Sequence, residues 1–600
     1  NSLYDSCPPS AECMTAQVAR ITRVCRRTTL ALVIMRVLAR HAFRRSNWTG
    51  ASVRAFSAYP HAVVLPKDSN QALGIGQYAI DFINGKYGET VDDKVWERIE
   101  MFHTDSVMCG VSALAMKTNA PTVLRDEALT YKDSNGATVF GSGEKVSPEK
   151  AVVANASAVR EWDSNGTVFG YNPSIPGHTA GEFGHNDFYP VVVAAAQVTG
   201  SIDGKKALRA MIASDEIRGR LAEVFSLKSY KIDHVVHGAI ASAAVYGALL
   251  GATPEQIESA IGMAVAHYIP FRAIRAGRDL SDSKGSSAAI STEAAVLSMR
   301  RAMAGFAGPK DIFRNPESIF RFFEPTTGGT SSNKDIIDIT LGNKQRWGPG
   351  DAPFNLVLSH SGSDFAVMGM HFKLGLYEHQ SAGALQGVVN AVLGNPDLLA
   401  AGPSGVSGIE ITAYEPAYGI IGDPAKKNPQ TRQSADHSMA FIVSRMLLKA
   451  FKTDAATLSD NNAAWKALML SPYDYGHEAL WDKDTREMMQ RISFKHGGPE
   501  YDAKYPDGIP TSMDITLSSG KTISSGLVMY PSGHARDTAA DLKGILHHKA
   551  QLLGGIAIEK DEFSGFHSRL VNMIDASAGD MQKIYTFDYN KLVSHPPVDG

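Results

Sequence analysis

Cysteine is scarce here: of four residues, Cys7, Cys13 and Cys25 fall near the amino terminus, and Cys109 stands alone in all that follows. A disulfide framework in the body is thereby excluded. So is a [4Fe–4S] cluster, which needs several thiolates. Charge of one sign is lacking too, since 59 Lys and Arg oppose 62 Asp and Glu, for a net −3. Such a chain has no global basic field to concentrate it on nucleic acid or an anionic bilayer, and neither partner is expected. There is no His-Glu-x-x-His, no carboxylate set of fixed spacing and no Walker or dinucleotide glycine loop, so metal and nucleotide chemistry have no motif to rest on.

Acidic residues are missing altogether from Cys13 to Lys67, where nine arginines from Arg20 to Arg54 stand among Ser, Thr and Ala. That composition predicts a mitochondrial transit peptide over residues 1–56, and with it a matrix location. The mature start is expected near Ser57, after the Arg54-Ala55-Phe56 step. The apolar run Leu30–Ala39 is broken by Arg36 and falls short of the roughly 20 residues a membrane helix needs.

The remaining composition, 44% hydrophobic and 20% charged, is globular. At roughly 150 residues per domain the length allows two to four units. From about Asn70 to Phe320 the spacing is helical. HGAIASAAVYGALLG (His237–Gly251) and PEQIESAIGMAVAHYI (Pro254–Ile269) are apolar on most faces, as helices inside a helical body are. After His371 the pattern changes. SGIEITAYEP and SMDITLSSGKTISSGLVMYP alternate in strand fashion, the second around a Ser-Ser-Gly-Lys turn. Helical spacing returns after Asp537. The expected fold is mainly α: a large all-helical domain over 57–369, a smaller α+β lid over 370–537, and a carboxyl-terminal return, 538–600, to the helical domain.

Four polar clusters interrupt the apolar pattern. REWDSNGTVFGY (Arg160–Tyr171) and GHTAGEFGHNDFYP (Gly177–Pro190) form a loop holding Asp163, Thr167, His178, His185, Asn186 and Asp187, able to supply acid/base and hydroxyl groups; a capped helix entry is the competing reading. KIDHVVH (Lys231–His237) places His234 and His237 at the mouth of an apolar helix, where they serve either chemistry or a cap. PFRAIRAGRDLSDSKGSSAA (Pro270–Ala289) sets Arg272, Arg275, Arg278 and Lys284 before a helix start, which is an anion site or a solvated basic loop. MHFKLGLYEHQSAGAL (Met370–Leu385) puts Lys373 and His379 at the domain junction, a favoured position for small-molecule sites.

GHNDFYPVVVAAAQ, IDHVVHGAIASAAV, SDSKGSSAA, YEHQSAGAL, ADHSMAFIVSRML and YPSGHAR occur in that order, and together they resemble the MmgE/PrpD family from about Asp68 to the carboxyl end. The resemblance implies a helical domain capped by an α+β lid and a metal-free, cofactor-free lyase. Dehydratases of 2-methylcitrate, cis-aconitate decarboxylases and some isomerases belong to that family. Carried over residue by residue, it implies Asp163, His185, His234 and Lys284 as catalytic groups. Thr167, Arg272, Arg275, Lys373 and His379 are implied as contacts of a small tricarboxylate substrate. Arg272-x-x-Arg275 and the YPSGHAR ending resemble the dehydratase form, so a dehydratase acting as a homodimer is expected. A decarboxylase and a non-catalytic helical scaffold are the alternatives.

Overall fold

The computed structural model describes residues 61–88, 91–167, 184–275, 280–323 and 350–589, with Leu592, His595 and Val598. The expected transit peptide, His178 and Arg278 lie outside the described residues.

Helices dominate, with three small sheets. In chain order the helices that build the site are α1 (Gln71–Ile83), α2 (Asp93–Ala115), α3 (Asn119–Leu129), α4 (Pro148–Arg160), α5 (Tyr189–Thr199), α6 (Gly204–Val224), α7 (Val235–Leu249), α8 (Pro254–His267) and α9 (Asp282–Met303). Their starts are written locally. Thr253 and Gln256 form a reciprocal capping box ahead of α8, with Pro254 in its first turn, and the Asp203 carboxylate caps α6. Every residue of α7 is buried, which is why its sequence has no polar face. Its alanines and glycines let α6, α8 and α9 pack closely on it. Each fully buried branched side chain in it, such as Ile240 or Val245, contributes roughly 1.5–3 kcal/mol.

The later part of the chain carries α10 (Ala382–Gly394), α11 (Met439–Lys452) and a four-stranded sheet. Its strands are β1 (Val406–Ala413), β2 (Ile492–His496), β3 (Thr511–Leu517) and β4 (Thr522–Ser524), in the order β2-β1-β3-β4. The β1–β2 pairing is parallel and the others are antiparallel. Thr511, Met513, Ile515 and Leu517 alternate inward along β3, and α10 packs against that strand. The Ser-Ser-Gly-Lys turn joins β3 to β4, with Gly520 at φ +85°, a conformation glycine reaches without strain. The last long helix, α12 (Leu542–Ala557), packs on α2, far back in the chain. Helices and sheet belong to one unit, His61–Gly600. No described helix is long and apolar enough to cross a membrane.

Candidate active site

Several helix ends converge on one buried place. Helix α4 ends at Arg160, and three residues later the backbone of Asp163 turns into the left-handed region at φ +50°. For a residue with a Cβ this costs on the order of 1–3 kcal/mol, so something must hold it. The turn delivers the Asp163 carboxylate into a set of cations. Its Oδ2 accepts from Arg160 Nη2 at 3.0 Å and lies 3.2 Å from both Lys284 Nζ and His437 Nε2. Its Oδ1 accepts from Lys373, whose ammonium also donates to the Asp163 carbonyl at 3.0 Å. Burial by itself would raise the carboxyl pKa. Arg160, Lys373, Lys284 and His437 outweigh it and hold Asp163 well below the usual carboxylate range.

Lys284 occupies the first turn of α9 and also sits 3.3 Å from Asp436, whose Oδ1 is 2.5 Å from His437 Nδ1. Asp163, Asp436 and His437 offer ligand atoms all within 4.8 Å of one another, the donor set of a small cation site. The Lys284 ammonium lies against both carboxylates and supplies a fixed positive charge there.

The histidines form the opposite wall. His185 Nε2 is 3.2 Å from Arg160 Nη2. A guanidinium only donates, so Nε2 accepts and Nδ1 carries the proton of the neutral ring. That Nδ1 has no hydrogen-bond partner among the described residues. Burial, reinforced by Arg160 and Lys373, depresses the His185 pKa well below its ordinary value. His234 lies 5.9 Å from His185, ring centre to ring centre, and its Nδ1 is 3.5 Å from Asp233 Oδ1. It holds the amino-terminal boundary of α7, yet its side chain makes no capping bond. Burial depresses this imidazole too, with Arg275, Arg272 and Arg160 adding and Asp233 opposing.

Thr167 is bridged through its backbone to His185 and to His371. Gly166 before it permits the approach, since a Cβ there would come 2.3 Å from the Phe102 ring. The His371 ring stacks on His379 at 4.9 Å and lies tilted against His534 at 3.9 Å. Burial keeps His371 and His379 well below the ordinary histidine pKa and lowers His534 to about 4. Thr167 Oγ1, both ring nitrogens of His379, both amide atoms of Gln380 and Ser381 Oγ are buried and lack a hydrogen-bond partner among the described residues.

Lys284 and Lys373 therefore both touch Asp163. His185 joins them through Arg160, and His234, Thr167 and His379 line the neighbouring walls. Arg275 is differently placed: its Nε and Nη2 lie 2.5 and 3.2 Å from Asp233, so it faces the site with a carboxylate already attached. Arg272 shares the same short turn and acts on Asp233 and His234 through its charge. Sequence reasoning gave no role to Arg160, Asp436, His437 or Glu378. Arg160 opens the first polar cluster and Asp436-His437 stands within ADHSM, so the signal was in strings already singled out. Glu378 is fully enclosed beside His379, and burial, with Asp163 adding and Lys373 opposing, pushes its carboxyl up to about 7.

The chain matches two family descriptions: the MmgE/PrpD N-terminal domain over residues 80–329 and the MmgE/PrpD C-terminal domain over 379–553. It is 24% identical over 523 residues to a mitochondrial 2-methylcitrate dehydratase of Yarrowia lipolytica, covering 85% of this chain and 90% of the relative. It is 23% identical over 410 residues to a 2-methylcitrate dehydratase of Escherichia coli K12, covering 67% and 74%. A cis-aconitate decarboxylase of Aspergillus terreus is 23% identical over 205 residues, covering 33% of this chain and 40% of the relative.

Proposed function

The chain belongs to the MmgE/PrpD family, and we propose that it is a hydro-lyase converting 2-methylcitrate to 2-methyl-cis-aconitate and water, without metal or cofactor. One observation carries the reading: buried cations and neutral imidazoles stand near a group of buried polar atoms that have no hydrogen-bond partner among the described residues. Leaving such groups without a partner costs roughly 1–3 kcal/mol each. A polycarboxylate with a hydroxyl group supplies the missing acceptors and donor.

The chemistry divides between the two histidines by their partners. Asp233, itself held by Arg275, favours the proton on His234 Nδ1, which leaves Nε2 as the base that removes the proton from the carbon beside a carboxylate. The carbon–carbon double bond then forms as the tertiary C–O bond breaks. The departing hydroxyl takes a proton from His185 Nδ1 and leaves as water, the imidazolate so formed being held at Nε2 by Arg160 until the proton taken up by His234 returns to it. Charge developing on the carboxylate as its neighbouring carbon loses the proton is stabilised by Lys284 and Lys373, fixed in advance by Asp163. Thr167, Arg272 and His379 contact the carboxylates. Residues 370–537, which carry Lys373 and His379, act as a lid that excludes water.

The arginine-rich, acid-free leader and the mitochondrial relative support a matrix location. A homodimer is the assembly we propose. The test is to offer purified protein 2-methylcitrate, citrate and cis-aconitate separately, following absorbance of the unsaturated acid and release of carbon dioxide. Dehydration of 2-methylcitrate without carbon dioxide is expected. Carbon dioxide from cis-aconitate with no dehydration would replace the reading by the decarboxylase, and inertness on all three would favour a scaffold.

A further inference from the structure

A third buried ammonium, besides Lys284 and Lys373, lies behind the site, supplied by the far end of the chain. Lys549 on α12 is 1% exposed. Its Nζ is 2.7 Å from Asp105 Oδ1 on α2 and donates to the Ser164 carbonyl at 2.6 Å and the Lys373 carbonyl at 2.9 Å. An ammonium has three protons, and each meets an acceptor here. Two of those acceptors are backbone oxygens of the site: one follows Asp163 directly, and the other belongs to Lys373 itself.

The pattern is repeated one residue away. Lys373 Nζ donates to the Asp163 carbonyl at 3.0 Å, and Ser164 Oγ donates to the Gly375 carbonyl at 2.7 Å. The strands of chain at 163–164 and 373–375 are thus laced together by side chains: two successive carbonyls, Asp163 and Ser164, are each held by a different lysine. Immediately before them lies the φ +50° turn of Asp163, which a residue with a Cβ does not hold unaided. Burial makes the arrangement demanding. Asp105 is enclosed, its pKa raised by burial against the opposing pull of Lys549, and Cys109 beside the pair has its thiol pushed up to about 12 by burial.

We infer that Lys549 is a positioning residue: by holding the Ser164 and Lys373 carbonyls it fixes the Asp163 turn and the Asp163–Lys373 pair, although it touches neither reacting side chain. The inference rests on the functional reading above only in treating Asp163 and Lys373 as site groups. Lys549→Met is compared with Leu553→Ala, which opens a cavity at a buried position of the same helix and so loosens α12 without touching the two carbonyls. Activity and hydrogen exchange of the segments around 163–167 and 371–376 are measured in both.

Lys549→Met is expected to lower kcat by about 10- to 100-fold with little change in KM, the size expected of a misplaced catalytic group. Exchange in those segments should speed by about 10-fold or more. Leu553→Ala should lower the melting temperature and leave kcat and those segments as in the parent. Equal losses of kcat in the two variants, or unchanged exchange in Lys549→Met, would overturn the inference. If Lys549→Met does not fold, Asp105→Leu/Lys549→Met removes the buried pair together, a replacement that proteins often tolerate. A folded double variant with parental kcat and exchange overturns the inference, and one with lowered kcat and faster exchange supports it. If the parent does not turn over 2-methylcitrate, the reading of function fails, while exchange still decides the clamp.

Discussion

Two clusters of buried charge in this protein look alike in composition and differ in completion. On α6, Arg220 donates through Nε to Glu216 at 2.9 Å, through Nη1 to Glu223 at 3.1 Å and through Nη2 to the Asp364 side chain and carbonyl at 3.1 and 2.8 Å. Glu216 uses both its oxygens to accept the amides of Ser359 and Ala366 at 2.7 and 2.6 Å. Around Asp163, by contrast, Arg160 Nη1, Thr167 Oγ1, His185 Nδ1 and His379 keep buried atoms without a partner among the described residues. The first cluster fastens α6 to the strand Leu356–Ser359 and the segment after it, and nothing more can be added to it. The second leaves buried polar atoms unpaired among the described residues, as the proposed function requires of a place that takes a ligand. Burial and charge are common to the two clusters; what differs among the described residues is how far their hydrogen bonds are satisfied.

The comparison breaks most visibly if the two clusters respond alike to mutation. Arg220→Met strands Glu216 and Glu223 in the interior, and removal of one partner of such a group costs about 3–5 kcal/mol. The unfolding midpoint should therefore fall steeply, with kcat at 25 °C as in the parent wherever the protein remains folded. Lys284→Met should do the reverse. It keeps the length of the side chain and deletes the charge, and kcat/KM on 2-methylcitrate should drop by about 100- to 1,000-fold with a much smaller change in melting temperature than Arg220→Met produces.

Next in size is His185→Gln, expected to cost about 100-fold in kcat/KM as a proton donor is lost. If it keeps more than about half of the activity, the unpaired Nδ1 is a structural accident and the contrast with the Arg220 cluster loses its meaning.

A smaller effect is expected in stability against pH. The Glu378 carboxyl is raised by burial to about 7 from an ordinary value near 4.5. A raised folded-state pKa contributes stability that is complete below the ordinary value and is lost as pH rises through about 7. Glu378→Gln, which keeps a neutral side chain at every pH, should gain in melting temperature over the parent between pH 6 and 8. A gap that stays constant over that range would show Glu378 ionised already at pH 6. The smallest expected effect is none: because Lys284 holds the position between Asp163 and Asp436, dialysis against EDTA should leave kcat unchanged. Loss of activity, restored by a divalent ion, would show that the lysine yields that position to a metal.

Much of the architecture was legible in local sequence. The apolar repeats marked α7 and α8, the alternation after His371 marked β1, β3 and β4 but not β2 (Ile492–His496), and Ser-Ser-Gly-Lys marked the turn between β3 and β4. The four polar interruptions also named most of the residues that meet at the site. Partnership was the part that escaped. Arg275, read as a cation open to an anion, is attached to Asp233. His437 was passed over inside a string noticed for other reasons. Lys549 sits in an ordinary-looking amphipathic helix, and nothing local distinguishes it from a solvated lysine.

What the sequence determined by itself was therefore the kind of element at each stretch and the places where polar chemistry interrupts a core, because helix caps, turns and periodicity act over a few residues. What only the tertiary structure decided was which charge meets which. Asp163 collects Lys284, Lys373 and His437 from positions 121, 210 and 274 residues further along the chain (284 − 163, 373 − 163 and 437 − 163). Lys549 reaches Ser164 across 385 residues. Those meetings are fixed by how whole helices pack, and the burial that packing creates then sets whether each group is charged, neutral or waiting for a ligand.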